Sequence, residues 1–196
     1  MGIFRFLYVL DRTTRSSPEY KGKVGEARVS FIVNRLIKQK GGYLINDIVL
    51  PINKDRTTQI DHIYVSKYGV FVIETKAYQG LIYGKENDEN WYIYFGGQKY
   101  EMYNPVAQNK LHIAAVNTCI SSLKTPPVSL VTILRANISH ISAKNVYNLP
   151  GLERYLLNLK DEVMSDEEVE NIYKEIKYFK ENPPKTMKEF VEEVKA

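Results

Sequence analysis

The sequence has very few of the residues that build disulfide frameworks or histidine-rich metal centres. Cys119 is the single cysteine among 196 residues, so an intrachain disulfide is excluded and a reducing compartment, the cytoplasm, is expected. The three histidines, His62, His112 and His140, follow no metal-ligand spacing. The chain is therefore expected to depend on a hydrophobic core for its stability.

The N-terminus also lacks a long uninterrupted apolar run. Residues 1–10, MGIFRFLYVL, contain Arg5 and are too few for a bilayer-spanning helix, which needs roughly 20 residues. No small-residue cleavage site follows, so a signal peptide is not expected. We expect this segment to pack as an edge strand or a helical turn. Docking of residues 1–17 on a membrane or a partner protein is the alternative.

What is present is the composition of a globular protein, with 44% hydrophobic and 26% charged residues. The length allows one sizeable core with an appendage. The net charge of +4 is unevenly distributed, because residues 160–196 carry −4 and residues 1–159 carry +8. A basic body with an acidic tail is compatible with a polyanionic partner such as nucleic acid.

The hydrophobic pattern of the first half predicts one helix followed by several strands. Residues 11–21 are polar and predict a loop, and residues 22–39 follow as a helix that ends at Gly41 and Gly42. The apolar face of this helix carries one acid, Glu26, which needs a partner or a function when buried. Runs rich in β-branched and aromatic residues predict strands at 43–50, 59–66, 69–76, 80–84 and 90–95.

The second half predicts a helix, a buried strand and two further helices. Asn104 and Pro105 predict a capped helix that runs to about residue 123. Its core-facing stripe is expected to carry Gln108, Leu111, Ala115 and Cys119. Residues 127–134 have the pattern of a strand covered on both faces, and helices are predicted near 151–159 and from the capping box at 165–168. The predicted fold is α/β or α+β, a mixed central sheet flanked by helices.

One Glu-x-Lys tripeptide differs in its setting from the other three copies. Only the copy at 74–76 ends an apolar strand, and strand periodicity places Glu74 and Lys76 on one face. If the turn SKYG pairs this strand with the preceding one, Asp61 lies across from Glu74. Two carboxylates and a lysine suit metal-assisted phosphodiester hydrolysis, in which the lysine orients or deprotonates the attacking water. The alternative is a cross-strand ion pair worth about 0.2–1 kcal/mol.

The motifs around this tripeptide resemble the nuclease-related domain (NERD) family, within the PD-(D/E)xK restriction-endonuclease-like nuclease superfamily. The resemblance covers about residues 22–135. It is carried by GKVGEARV, by TTQIDHIYVSKYGVFVIETKAYQG, by Trp91, and by YNPVAQNKLHIAAV. The proline of the wider motif is absent, because Ile60 precedes Asp61. The resemblance implies a restriction-endonuclease-like core and a nuclease that uses Mg²⁺ or Mn²⁺ and acts on DNA.

The resemblance also implies a role for each matched residue. Asp61 and Glu74 would be the metal ligands and Lys76 the catalytic lysine. Glu26 would be the acidic residue of the first helix, and Gln108 the polar residue that the second helix directs toward the site. A nucleic-acid-binding or scaffold module that keeps the fold without turnover is the alternative function. The sequence predicts neither the oligomeric state nor the preferred nucleic acid structure.

Further residues are candidates for contacts with nucleic acid. Lys110 and Arg56 are expected to contact phosphates. Trp91 and the tyrosines at 92, 94, 100 and 103 have rings that stack on bases in other proteins, but core packing is the preferred interpretation. The predicted organisation is an N-terminal segment and linker (1–21), the nuclease-like domain (22–135), and a helical extension packed on it (136–196).

Overall fold

Four helices and seven strands make up the described part of the chain, which covers residues 17–53 and 56–184 of a computed structural model. The helices are α1 (Pro18–Lys40), α2 (Pro105–Cys119), α3 (Leu149–Leu157) and α4 (Asp166–Glu181). The strands are β1 (Tyr43–Pro51), β2 (Thr57–Ser66), β3 (Gly69–Lys85), β4 (Asn90–Phe95), β5 (Gln98–Tyr103), β6 (Val128–Ser142) and β7 (Val146–Tyr147). The docking segment predicted at 1–17 lies outside these residues except for Ser17. Within the described ranges, no helix is long and apolar enough to cross a membrane.

The first helix begins at Pro18, so the loop predicted for residues 11–21 is wrong from this residue onward. The Ser17 side chain accepts a hydrogen bond from a backbone N–H of the first turn, and proline in that turn has no N–H that needs a partner. The helix ends as predicted, where Gly41 takes a positive φ of 73°. The cap and the proline therefore extend α1 into a stretch that composition alone assigns to a loop.

The sheet is mixed, as predicted, because β3 has antiparallel and parallel neighbours. Strands β1 to β5 pair in order as antiparallel neighbours, whereas β6 runs parallel to β3 and β7 runs parallel to β6. The strands predicted at 69–76 and 80–84 are one strand of 17 residues. Its antiparallel partner is β2 up to Ile73 and β4 from Leu81. At Gly80, directly before the pairing with β4, φ is 104° and a Cβ atom would lie 2.3 Å from the Tyr94 carbonyl oxygen. Glycine therefore allows β3 to continue where two separate strands are predicted.

The strand predicted at 127–134 is longer than its apolar core. β6 continues to Ser142, so residues 136–142, assigned by sequence to a helical extension, belong to the sheet. Residues Leu130 to Leu134 are all buried, which confirms a strand covered on both faces. The second half of β6, in which polar residues are interspersed with Ala136, Ile138 and Ile141, is held by its parallel pairing with the end of β3. This pairing is a long-range contact that the local sequence does not specify.

Helices cover the two faces of the sheet. α1 and α3 contribute to a cluster with Tyr64, Phe71 and Leu130, while α2 and α4 contribute to a cluster with Ile63 and Val72. α4 begins with the predicted capping box. Side chains of β3 alternate between these two clusters, so the residues with the parity of Val72 point toward α2. Glu74 and Lys76 share that parity, which directs them toward α2 as the strand ends its pairing with β2.

The predicted buried stripe of α2 is off by one residue. Leu111 is 41% exposed, and the buried positions are Pro105, Val106, Asn109, His112, Ala115 and Val116. The helix also ends at Cys119, earlier than predicted. Two polar residues, Asn109 and His112, thus occupy core positions, which an apolar-periodicity argument does not anticipate.

Candidate active site

A cavity of about 420 Å³ opens where β2 and β3 end their pairing. We call it the carboxylate cavity. It brings together all five residues that the sequence analysis proposes for catalysis. Its lining residues are Glu26, Thr58, Gln59, Asp61, Glu74, Thr75, Lys76, Gln108 and His112.

Asp61 lies one residue beyond the last β2–β3 pair, which joins His62 and Ile73. Its Oδ2 atom accepts a hydrogen bond of 2.8 Å from the Thr75 N–H, so the carboxylate takes the place of a ladder partner. Burial raises the pKa of Asp61 to about 8, and the negative charges of Glu74 and Glu26 act in the same direction. The Thr75 hydrogen bond opposes this rise but does not cancel it. Asp61 therefore lies in a site that favours an added positive charge.

Glu74 and Lys76 form a close pair on the α2 side of β3. The Lys76 Nζ atom is 2.7 Å from Glu74 Oε1 and donates a 2.9 Å hydrogen bond to Gln108 Oε1. Burial raises the pKa of Glu74, and the Lys76 charge opposes this rise. Burial tends to lower the pKa of Lys76, but the adjacent Glu74 carboxylate outweighs it, so the net pKa is raised. Lys76 is therefore an ammonium group, a donor and a positive charge rather than a base.

Glu26 contributes the acid from α1, three residues before the buried Val29. Burial raises the pKa of Glu26, and Asp47 adds to this rise, whereas Lys23 and Lys76 oppose it. Glu26 in turn raises the pKa values of Asp61 and Glu74. Three carboxylates from three elements therefore act on one another within a single cavity.

Asn109 and His112 support the site from α2, and sequence analysis missed both. The Asn109 amide donates to the Val72 and Leu130 carbonyl oxygens at 3.0 and 3.1 Å and to the Ser129 hydroxyl at 2.8 Å. Its Oδ1 atom is then the acceptor for His112 Nδ1–H, at 3.2 Å. Asn109 therefore fixes α2 against β3 and β6. The i, i+3 spacing of Asn109 and His112, which puts both on one face of α2, was the available signal.

His112 is close to the Glu74–Lys76 pair but is not an ion-pair partner. Its Nδ1 atom is 3.4 Å from Glu74 Oε2, and its pKa is lowered to about 4 by burial and by Lys76. The imidazole is therefore neutral near pH 7. It places an N–H dipole beside the carboxylate without neutralising it.

The donor set fits a hard divalent cation at Asp61 and Glu74. Glu74 Oε2 is buried and accepts no hydrogen bond from any residue that the structure describes, so it retains coordinating capacity. Mg²⁺ commonly takes one or two carboxylates and completes its shell with water and substrate phosphate. Over the described ranges, no group of three or more His, Cys, Asp or Glu is arranged to hold a metal. Two carboxylates are a donor set that Mg²⁺ accepts, whereas a closed structural zinc site uses four protein ligands.

The remaining candidates are not part of this cavity. Lys110 is exposed, with its Nζ atom 4.0 Å from Glu86 Oε1, and Arg56 is exposed in the turn before β2. Trp91 is fully buried and donates its indole N–H to the Lys85 carbonyl oxygen, so it belongs to the core. His62 lies on the opposite face, with Nδ1 2.7 Å from Asn46 Oδ1.

Comparison with known proteins places the chain in a family. The model of the nuclease-related domain family matches residues 21–134, more than half of the chain and nearly the range that the sequence motifs predict. An uncharacterized protein of Bacillus anthracis, pXO1-01, is 33% identical over 162 residues, which are 80% of this chain and 75% of that protein. No solved structure gives a significant match. The chain belongs to the NERD, or nuclease-related domain, family.

Proposed function

We propose that this chain is a divalent-metal-dependent nuclease that hydrolyses phosphodiester bonds in DNA. The observation that carries the proposal is the convergence of Asp61, Glu74 and Lys76 in one cavity, with carboxylate pKa values raised by burial and mutual repulsion. Buried like charges of this kind are uncommon unless a cation or a reaction needs them. The nuclease-related family supports the same reaction class.

Asp61 and Glu74 would hold Mg²⁺ or Mn²⁺ in this proposal. The bound ion supplies Lewis-acid polarisation of the phosphate and a lowered pKa for a bound water. Asp61 is oriented by the Thr75 N–H, and Glu74 by its contact with Lys76. These constraints preorganise the two carboxylates on opposite strands before any ligand enters.

Lys76 would stabilise the negative charge that develops on the phosphate in the transition state. Its raised pKa keeps the proton on Nζ, which favours charge stabilisation and water orientation over proton abstraction. Gln108 holds the ammonium from α2 at 2.9 Å and so limits its rotation. Glu26, in the same cavity, adds negative charge that favours cation binding. Each of the five residues then has a separate task.

A nucleic-acid substrate is supported by charge rather than by a base-reading motif. Residues 1–159, which include the carboxylate cavity, carry a net charge of +8. Arg56 is exposed and precedes Thr58 and Gln59 of the cavity lining, so it is suited to contact the phosphate backbone beside the site. Lys110 follows Gln108 by two residues on α2, a spacing that puts the two side chains on different faces of the helix, so a phosphate contact at Lys110 would lie away from the cavity.

The test is a cleavage assay with Mg²⁺ or Mn²⁺ on supercoiled, linear duplex and single-stranded DNA and on RNA. Wild type is compared with Asp61→Asn and Lys76→Met, which are close in size to the residues they replace. Lys38→Met, an exposed change at the end of α1, is the matched control. We expect the two site variants to lose roughly 10²- to 10⁴-fold in rate, as is typical for groups that act in the transition state, while Lys38→Met keeps wild-type activity.

Two results would overturn the proposal. Cleavage that survives in both site variants would place the activity elsewhere or in a contaminant. If the folded wild type cuts none of the substrates, the non-catalytic binding module is favoured, and salt-dependent binding that persists in EDTA would identify it. The close Lys76–Glu74 pair is compatible with that alternative, since it partly neutralises the site.

A further inference from the structure

A second cavity of about 480 Å³ adjoins the carboxylate cavity on the other side of Lys76. We call it the aromatic groove. It runs between the first turns of α1, the middle of β3 and the β4–β5 hairpin. Its lining residues are Lys21, Gly22, Thr75, Lys76, Ala77, Tyr78, Gln79, Ile93, Phe95, Tyr100, Glu101 and Met102.

Two partly exposed aromatic rings line the groove. Phe95 is 50% exposed and Tyr100 is 52% exposed, although both line the groove. They lie on the hairpin face that also carries the buried side chains of Ile93 and Met102, because residues 93 and 100 are paired across β4 and β5. The structure therefore places two large, partly uncovered rings over an apolar floor. Trp91, on the same hairpin, is fully covered and cannot serve a ligand in this way.

The groove is continuous with the candidate active site. Thr75 and Lys76 line both cavities, so this segment of β3 lies at the boundary between them. A strand whose phosphate contacts Lys76 would place its neighbouring nucleoside at the groove. Lys21, on the first turns of α1, adds a positive charge to the groove lining, next to the path of the backbone.

We propose that the aromatic groove stacks an unpaired nucleobase next to the phosphate being cleaved, which makes single-stranded nucleic acid the substrate class. The inference rests on the proposed nuclease function. Every base has a π-face, so stacking on Phe95 and Tyr100 needs no sequence preference. A base inside a duplex is already paired and stacked on its neighbours, and it would have to leave the helix to reach these rings. Unpaired strands therefore enter the groove without that unstacking penalty.

The test measures binding separately from cleavage. Fluorescence anisotropy is recorded in Ca²⁺ with the full chain, using an oligothymidylate and an abasic oligonucleotide of equal length and charge. We expect the wild type to prefer the strand that carries bases by roughly 5- to 150-fold, the range for one stacked base. Tyr100→Ala and Phe95→Ala should each reduce this preference and leave binding of the abasic strand unchanged.

Tyr103→Ala is the matched control. Tyr103 lies on the same strand, is 50% exposed, and does not line the groove. It should keep the full preference for bases. Because Tyr100 is exposed, Tyr100→Ala should also keep its melting temperature within about 2 °C of wild type.

Three outcomes of the binding and melting measurements would overturn the groove assignment. The first is equal binding of the two strands by the wild type, and the second is a loss of the preference for bases in Tyr103→Ala as large as in Tyr100→Ala. The third is a large fall in melting temperature for Tyr100→Ala, which would mean that the ring packs against another part of the chain. A failure of the nuclease proposal looks different, because the base preference in Ca²⁺ would persist while no substrate is cut. Cleavage of duplex and single strands at equal rates, unchanged in Tyr100→Ala, would remove the groove inference and leave the nuclease standing.

Discussion

Replacing Asp61 by asparagine is expected to remove a pH-dependent instability from the metal-free protein. Burial, Glu74 and Glu26 raise the pKa of Asp61 from 3.8 to about 8. Because its pKa is higher in the folded state, the Asp61 carboxyl stays protonated to a higher pH there than in the unfolded chain. Its contribution to stability is therefore complete below about pH 4 and is lost as the pH rises through about 8. At about 1.4 kcal/mol per pH unit, the loss over this interval is on the order of 5 kcal/mol.

Two buried histidines act in the opposite direction over part of this interval. Burial lowers the pKa values of His62 and His112 from 6.5 to about 4. Their stabilising contribution is therefore complete above about pH 6.5 and is lost as the pH falls toward 4. The wild-type profile combines both effects, so the contribution of Asp61 is measured as the difference between Asp61→Asn and wild type. Between about pH 6.5 and 8 these two histidines no longer change charge, and the contribution of Asp61 is not offset by them.

The assay is urea unfolding in EDTA at several pH values between 4 and 8. Asparagine keeps an oxygen acceptor for the Thr75 N–H, so the change isolates the charge. The advantage of Asp61→Asn in unfolding free energy should grow from near zero at pH 4 to on the order of 5 kcal/mol at pH 8. Asp161→Asn, an exposed control, should follow wild type throughout.

Metal addition completes the test. Mg²⁺ or Mn²⁺ at about 100 times its dissociation constant should return about 2.7 kcal/mol to the wild type at pH 8 and much less to Asp61→Asn. A difference between Asp61→Asn and wild type that does not change with pH would refute the electrostatic argument. It would mean that Asp61 is solvated in the folded protein, and the argument that the site favours an added positive charge would fail.

Three further predictions concern the framework of the fold. Asn109→Leu removes the amide that bonds α2 to β3 and β6, and it should lower the unfolding free energy by about 2–4 kcal/mol; equal destabilisation by the exposed α2 control Asn117→Leu would contradict this role. Gly84→Ala should destabilise by about 1–3 kcal/mol, because its Cβ would lie 2.3 Å from the buried Trp91 ring. Gly22→Ala, whose Cβ meets nothing closer than 3.9 Å, should instead stabilise α1 by about 0.5–1 kcal/mol. Thermal unfolding of both glycine variants checks this, and a change of the same sign in both would contradict the packing argument.

The sequence by itself determined the local elements and the relation between Asp61, Glu74 and Lys76. A period of two places residues 74 and 76 on one face whatever the sheet does around them. The short SKYG turn limits the register of the hairpin, and so brings Asp61 to the position across from Glu74. The N-cap at Asn104 and the capping box at Ser165 are likewise local hydrogen-bonding patterns, and the structure contains both.

Only the tertiary structure decided how the site is closed and what lies beside it. The parallel pairing of β3 with β6 joins residues more than 50 positions apart, and it brings residues 136–142 into the sheet. The burial of Asn109 and His112 depends on how α2 is rotated about its axis against the sheet. The apolar pattern placed the buried face of α2 one residue away from its actual position, so it did not predict this rotation. The raised pKa of Lys76 follows from its short distance to Glu74, whose charge outweighs the opposing effect of burial. Long-range pairing, helix rotation and desolvation depend on segments far apart in the chain, and for that reason no local pattern specified them.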